Sequence, residues 1–97
     1  MKGKIYISGA ITGTTDYMER FAAAEEKLWQ QGYEVVNPAA VNSMLPESTD
    51  YEEYMQMSFL MMDMCTHIYM MPGWQKSRGA NREYGYALGK GMEVVFS

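Results

Sequence analysis

Hydrophobic and polar positions alternate along this chain in two periods, and the changes of period mark its elements. Lys4-Ile5-Tyr6-Ile7-Ser8 is a β-rich run stopped by Gly9, which predicts a first strand. After the small, hydroxyl-rich stretch Gly9 to Thr15, the residues Tyr17, Phe21, Ala24 and Leu28 recur at the spacing of one helical face. Asp16 and Glu19 stand as a capping box before that helix, and Gly32 ends it. Tyr33-Glu34-Val35-Val36 predicts a second strand, closed by Asn37-Pro38. Residues 37–48, with Pro38 and Pro46, read as a polar loop. Thr49 and Glu52 form a second capping box, with Asp50, Glu52 and Glu53 in the electropositive first turn of a second helix. Its latter half, Met55 to Cys65, is apolar nearly all round, which predicts burial on more than one face. His67-Ile68-Tyr69-Met70-Met71 is a third strand stopped by Pro72-Gly73, and Trp74 to Gly79 is a loop. Ala80 to Lys90 is a third helix ended by Gly89 or Gly91, and Met92 to Phe96 is the last strand.

The resulting order, βαβαβαβ, predicts a three-layer α/β fold of flavodoxin or Rossmann-like type. It has a four-stranded parallel sheet and right-handed crossovers. No repeat, linker or low-complexity segment interrupts it, so residues 1–97 read as one domain. Ligands of such sheets sit beyond the carboxyl ends of the strands where the strand order reverses. A site is therefore expected from residues 8–15, 37–45 and 72–83.

Composition narrows what that site takes. The chain has 97 residues and a formal net charge of -4, from 8 Lys plus Arg against 12 Asp plus Glu, which disfavours nucleic acid as a partner and leaves small ligands open. Cys65 is the single cysteine, so no internal disulfide forms, and its apolar surroundings predict a structural thiol. With no export signal and no apolar run long enough to span a bilayer, the chain is expected to act in the cytoplasm, away from membranes. Of 11 Met, seven lie between Met55 and Met71. A domain this small cannot easily cover a helix that is apolar all round, so this second helix is expected to form a symmetric homodimer interface.

Two loops carry candidate chemistry. Ser8-Gly9-Ala10-Ile11-Thr12-Gly13 lies between a strand and a helix N-terminus, where backbone N–H groups and small residues admit an anionic or sugar group. Ser77-Arg78-Gly79-Ala80-Asn81-Arg82-Glu83 opens the third helix. Gly79, Ala80 and Ala87 share the face of Glu83 and leave room beside its carboxylate. Lys76, Ser77 and Arg78 suit a phosphate, and Trp74 suits stacking on a base or packing on its own loop. His67 has no ligand partner at useful spacing, so neither metal nor other cofactor is expected.

These residues also carry a family likeness. Ile5 to Gly13, together with Gly79-Ala80-Asn81-Arg82-Glu83-Tyr84-Gly85-Tyr86-Ala87, resembles the nucleoside 2-deoxyribosyltransferase superfamily. Pro72-Gly73-Trp74, Ser77 and Gly79-Ala80 resemble a small branch of it found in bacteria and phages. The resemblance implies that Glu83 attacks C1′ of a 2′-deoxyribosyl group and expels the base, giving hydrolysis or transfer. A carboxylate with a reference pKa of about 4.3 is ionised at neutral pH and needs no base to activate it. Ser77 stands where the transferases have Asp, which resembles the 2′-deoxynucleoside 5′-monophosphate N-glycosidases and implies that Ser77 and Arg78 face a phosphate. Ser8, Gly9, Ala10, Ile11, Thr12, Gly13, Trp74 and Gly79 would line the substrate. Thr12 replaces the Arg of those glycosidases, and Thr66 replaces an Asp that commonly begins the third strand. The acid that assists base departure falls at or near Ser58, leaving Asp63 as the only carboxylate in the second half of that helix. The alternative function is a nucleotide-binding or phage-related interaction module without turnover.

Overall fold

The four β-rich runs become one sheet. The computed structural model describes residues 2–97, and in it β1 (Lys4–Ser8), β2 (Glu34–Val36), β3 (His67–Met70) and β4 (Glu93–Phe96) lie in the order β2-β1-β3-β4. All pairings are parallel, with Ile5 beside Val35 and His67, and Ile68 beside Val94. Between the strands run α1 (Tyr17–Gln30), α2 (Pro38–Asn42), α3 (Tyr51–Asp63) and α4 (Arg78–Lys90), with a 3-10 turn at Trp74–Lys76 before α4. This is the expected α/β fold with an all-parallel sheet.

Strand alternation divides the core in two. Ile5, Ile7, Tyr69 and Met71 face α1 and meet its Phe21, Ala24 and Leu28. Tyr6, Ile68 and Met70 face the other way, against Met61 and Met62 of α3 and Ala80 and Ala87 of α4. Full burial of a side chain such as Phe21 or Leu28 contributes roughly 2 kcal/mol. Helices therefore cover both faces. The strand order reverses between β1 and β3, because α1 leads one way from β1 while α4 leads the other way from β3. No helix of the described residues is long and apolar enough to cross a membrane.

Three sequence expectations need correction. Residues 37–48 are not wholly loop: Asn37 accepts hydrogen bonds from the N–H groups of Ala39 and Ala40, and Pro38 occupies the first turn, so five residues form α2. A helix of that length is too short to show a period. Asp16 precedes α1 but makes no side-chain cap. The capping box of α3 is one residue later than Thr49 and Glu52. Asp50 accepts from the N–H of Glu53 at 2.8 Å, and Glu53 accepts from that of Asp50 at 2.9 Å. Thr49 instead donates to the carbonyl of Pro46. Within the chain, α3 is covered only in part. Met55, Met61 and Met62 are core residues, whereas Leu60 is 61% and Met64 58% exposed.

Candidate active site

Glu83 stands on the second turn of α4. That helix is set by Ser77, whose hydroxyl accepts the N–H of Ala80, and by Gly91, which ends it in a left-handed conformation at φ 76°. The carboxylate is buried at 7% exposure. Its partners come from the far end of the sequence. Tyr6 Oη donates to Oε2 at 2.7 Å and Ser8 Oγ donates to Oε1 at 2.6 Å. Both lie on β1 two residues apart, so strand alternation turns both hydroxyls toward α4. The Ser58 hydroxyl of α3 adds a further favourable interaction with the charge.

Two effects compete at this carboxylate. Removal from water raises its pKa, while the Ser8, Tyr6 and Ser58 hydroxyls oppose the rise by stabilising the anion; burial wins. Burial, and next the neighbouring Glu83 charge, hold the Tyr6 phenol well above its ordinary pKa, so it remains a donor. A desolvated carboxylate with one hydrogen bond on each oxygen is oriented and more nucleophilic than a solvated one.

In front of it is a cavity of about 160 Å³ at the reversal point of the sheet. Of the residues expected from sequence, Gly9, Ile11, Thr12, Ser77, Gly79 and Glu83 line it. Ser8 reaches the site through its hydrogen bond to Glu83. Gly9 is required by close approach: a Cβ there would lie 2.7 Å from Met71 Sδ and 3.1 Å from Met71 Cβ. Ala10 and Gly13 lie outside the lining. So does Trp74, which packs on Tyr84 and Phe96 at centroid distances of 4.9 and 6.3 Å, the packing role rather than the stacking one. Arg78 also lies outside the lining, with its guanidinium 5.0 Å from the ring centroid of the lining residue Tyr51.

Asp63 is elsewhere. Its Oδ1 accepts from Tyr86 Oη at 2.7 Å and pairs with Lys90 at 2.9 Å, both from the later turns of α4. Lys90 first and Tyr86 second hold its pKa below the ordinary carboxylate range, which is the wrong direction for a proton donor. The expectation of Asp63 as a catalytic acid is therefore corrected. Ser58 does face the cavity, and among its described lining residues Glu83 is the one carboxylate, with no cation beside it.

Sequence reasoning missed Tyr6, Tyr51 and Tyr54, which also line the cavity, and did not single out Asn42, which lines it from within the expected segment 37–45. Tyr6 was legible, since it shares a strand face with Ser8. The others depend on α2 and on the corrected start of α3. Cys65 is buried, its thiol pushed up to about 11 by loss of water contact, and donates weakly to the carbonyl of Met61, as a structural thiol does.

A family model described as Domain of unknown function (DUF4406) matches residues 3–96. No curated protein matches the chain.

Proposed function

The chain belongs to the DUF4406 family, and from that premise we propose that it is a cytoplasmic N-glycosidase or deoxyribosyltransferase-like enzyme acting on a 2′-deoxynucleoside or its 5′-monophosphate. The observation that carries this reading is the buried Glu83 carboxylate, held by Tyr6 and Ser8 at the head of a cavity the size of one ring. A cavity of about 150 Å³ accommodates benzene, so a deoxyribose ring fits beside the carboxylate.

In the first step a Glu83 oxygen bonds to C1′ as the C1′–N bond breaks. The base leaves with that electron pair and takes a proton from water. In the second step water adds to C1′, its oxygen staying on the sugar and its proton going to solution, and the ester C1′–O bond breaks to restore the carboxylate. A second base in place of water gives transfer. Two displacements at one carbon retain configuration. Tyr6 and Ser8 align the carboxylate, and no cavity carboxylate other than Glu83 assists the leaving base among the described residues. Ser77, whose O–H remains free to donate while its oxygen caps α4, and Arg78 beside Tyr51 would face a 5′-phosphate.

Incubation with a panel of 2′-deoxynucleosides and 5′-monophosphates should release free base, followed by chromatography. Glu83→Ala should lower the rate by about three orders of magnitude or more; equal release by the variant overturns the assignment. Nucleotide binding by calorimetry with no base released would favour the interaction module instead.

The proposed macromolecular partner is a second copy. Met57, Leu60, Met61 and Met64 of α3 line an apolar groove of about 800 Å³ with Val35, Val36 and Val41, and an exposed continuous apolar patch of this kind marks an interaction surface. No nucleic acid or membrane enters this reading.

A further inference from the structure

We infer that Asn42 and Tyr51 read the leaving base of the substrate, Asn42 by accepting an N–H from the base edge and Tyr51 by hydrogen bonding beside it. The inference rests on the glycosidase reading above. Asn42 Oδ1 and Tyr51 Oη are buried side-chain atoms with no hydrogen bond of good geometry among the described residues; the Arg82 guanidinium is close enough to interact with the Tyr51 hydroxyl, whereas Asn42 Oδ1 has no such neighbour. Both residues line the Glu83 cavity. Leaving a buried polar atom unpaired is costly, and folded proteins rarely tolerate it without a reason. Two such atoms, on residues that line one cavity, point to a ligand that pairs them.

Both groups are held in advance. Asn42 ends α2, whose start is fixed by the Asn37 side chain. Tyr51 opens α3 directly after its capping box. The Tyr51 ring lies 5.0 Å from the Arg78 guanidinium and 5.6 Å from that of Arg82, and Arg82 is itself fixed by two hydrogen bonds to Glu52 at 2.9 and 3.0 Å. A Cβ at Gly79 would stand 3.6 Å from Tyr51 Oη. Gly79 precedes Glu83 by one helical turn on the same face, so the Tyr51 hydroxyl is about one turn from the nucleophile.

The chemistry selects the ligand group. A carboxamide oxygen only accepts, so its partner must carry a donor; a phosphate dianion has none and cannot satisfy Asn42. The base edge and the sugar hydroxyls both carry donors; only the base differs between substrates, so the test holds the sugar constant and removes the base donor alone. Tyr51 Oη donates to an acceptor on the same edge.

The test pairs each substrate with an analogue whose base lacks the donor: 2′-deoxyadenosine with purine 2′-deoxyriboside, 2′-deoxycytidine with 2-pyrimidinone 2′-deoxyriboside, thymidine with N3-methylthymidine. The wild-type protein should favour the donor-bearing member of its preferred pair by about 10- to 100-fold in kcat/KM. Asn42→Ala should erase that ratio, and Tyr51→Phe should raise KM more than it lowers kcat. A ratio that survives Asn42→Ala overturns the inference. If the wild-type protein releases no base, the glycosidase reading fails separately, and calorimetry with the same pairs still decides: donor-selective binding lost in Asn42→Ala supports base reading, and equal or absent binding overturns it. Tyr51→Phe should also melt no lower than the wild-type protein without ligand, because it removes a group with no hydrogen bond of good geometry; a clear fall would show the hydroxyl to be structural.

Discussion

At Glu83 the same burial that would sharpen a nucleophile costs stability. Its folded pKa lies above the ordinary glutamate value of about 4.3 because burial outweighs the Ser8, Tyr6 and Ser58 hydroxyls. Between the unfolded and folded values the native state binds more protons than the unfolded chain, so this group's contribution to stability falls as pH rises through that window. Below it, both states are protonated and the cost disappears. Glu83→Gln does not titrate there. Its melting temperature should exceed that of the wild-type protein near neutral pH, and the difference should close as pH falls toward about 4. Parallel curves at all pH values would show that Glu83 is not desolvated. Base release should move the other way, rising with pH as the carboxylate ionises. On the proposed function, one side chain would thus set stability against activity.

The elements matter through their ends. α3 brings Tyr51, Tyr54, Met55 and Ser58 to the cavity, and its start is held by the reciprocal bonds of Asp50 and Glu53. Asp50→Ala should lower stability by about 1 kcal/mol, read as a lower urea midpoint at unchanged slope. Adding Glu53→Ala should cost less than the two single losses summed, since both belong to one box. Thr49→Ala, at the position where sequence spacing places the cap, should stay within about 0.5 kcal/mol. A larger effect at Thr49 than at Asp50 would restore the cap read from spacing.

For the whole molecule, the question is what covers the outer side of α3. Leu60 at 61% and Met64 at 58% exposure border the groove that runs to the β2 edge. A second copy seated there by two-fold symmetry would remove both from water. Light scattering at micromolar concentration should therefore give twice the chain mass, and Leu60→Lys combined with Met64→Lys should give a monomer with unchanged circular dichroism. A wild-type monomer at that concentration would discard the interface.

Much of this architecture is local information. The periods of two and of three to four residues lie within single elements, so β1 to β4, α1, the body of α3, and α4 could be placed from apolar spacing alone, and alternation then implied a parallel sheet. Glu83 was legible for the same reason, from the small residues at helical spacing around it. What spacing could not carry is long-range or depends on a single-residue register. The order β2-β1-β3-β4, the hydrogen bonds from Tyr6 and Ser8 that cross 77 and 75 positions to reach Glu83, and the cap at Asp50 rather than Thr49 belong to that class. So does the separation of Asp63 from the cavity, since neighbours on one helix surface point in different directions and only packing decides which direction meets the site. Periodicity reports which face of an element is buried, and tertiary packing alone brings distant faces together around one carboxylate.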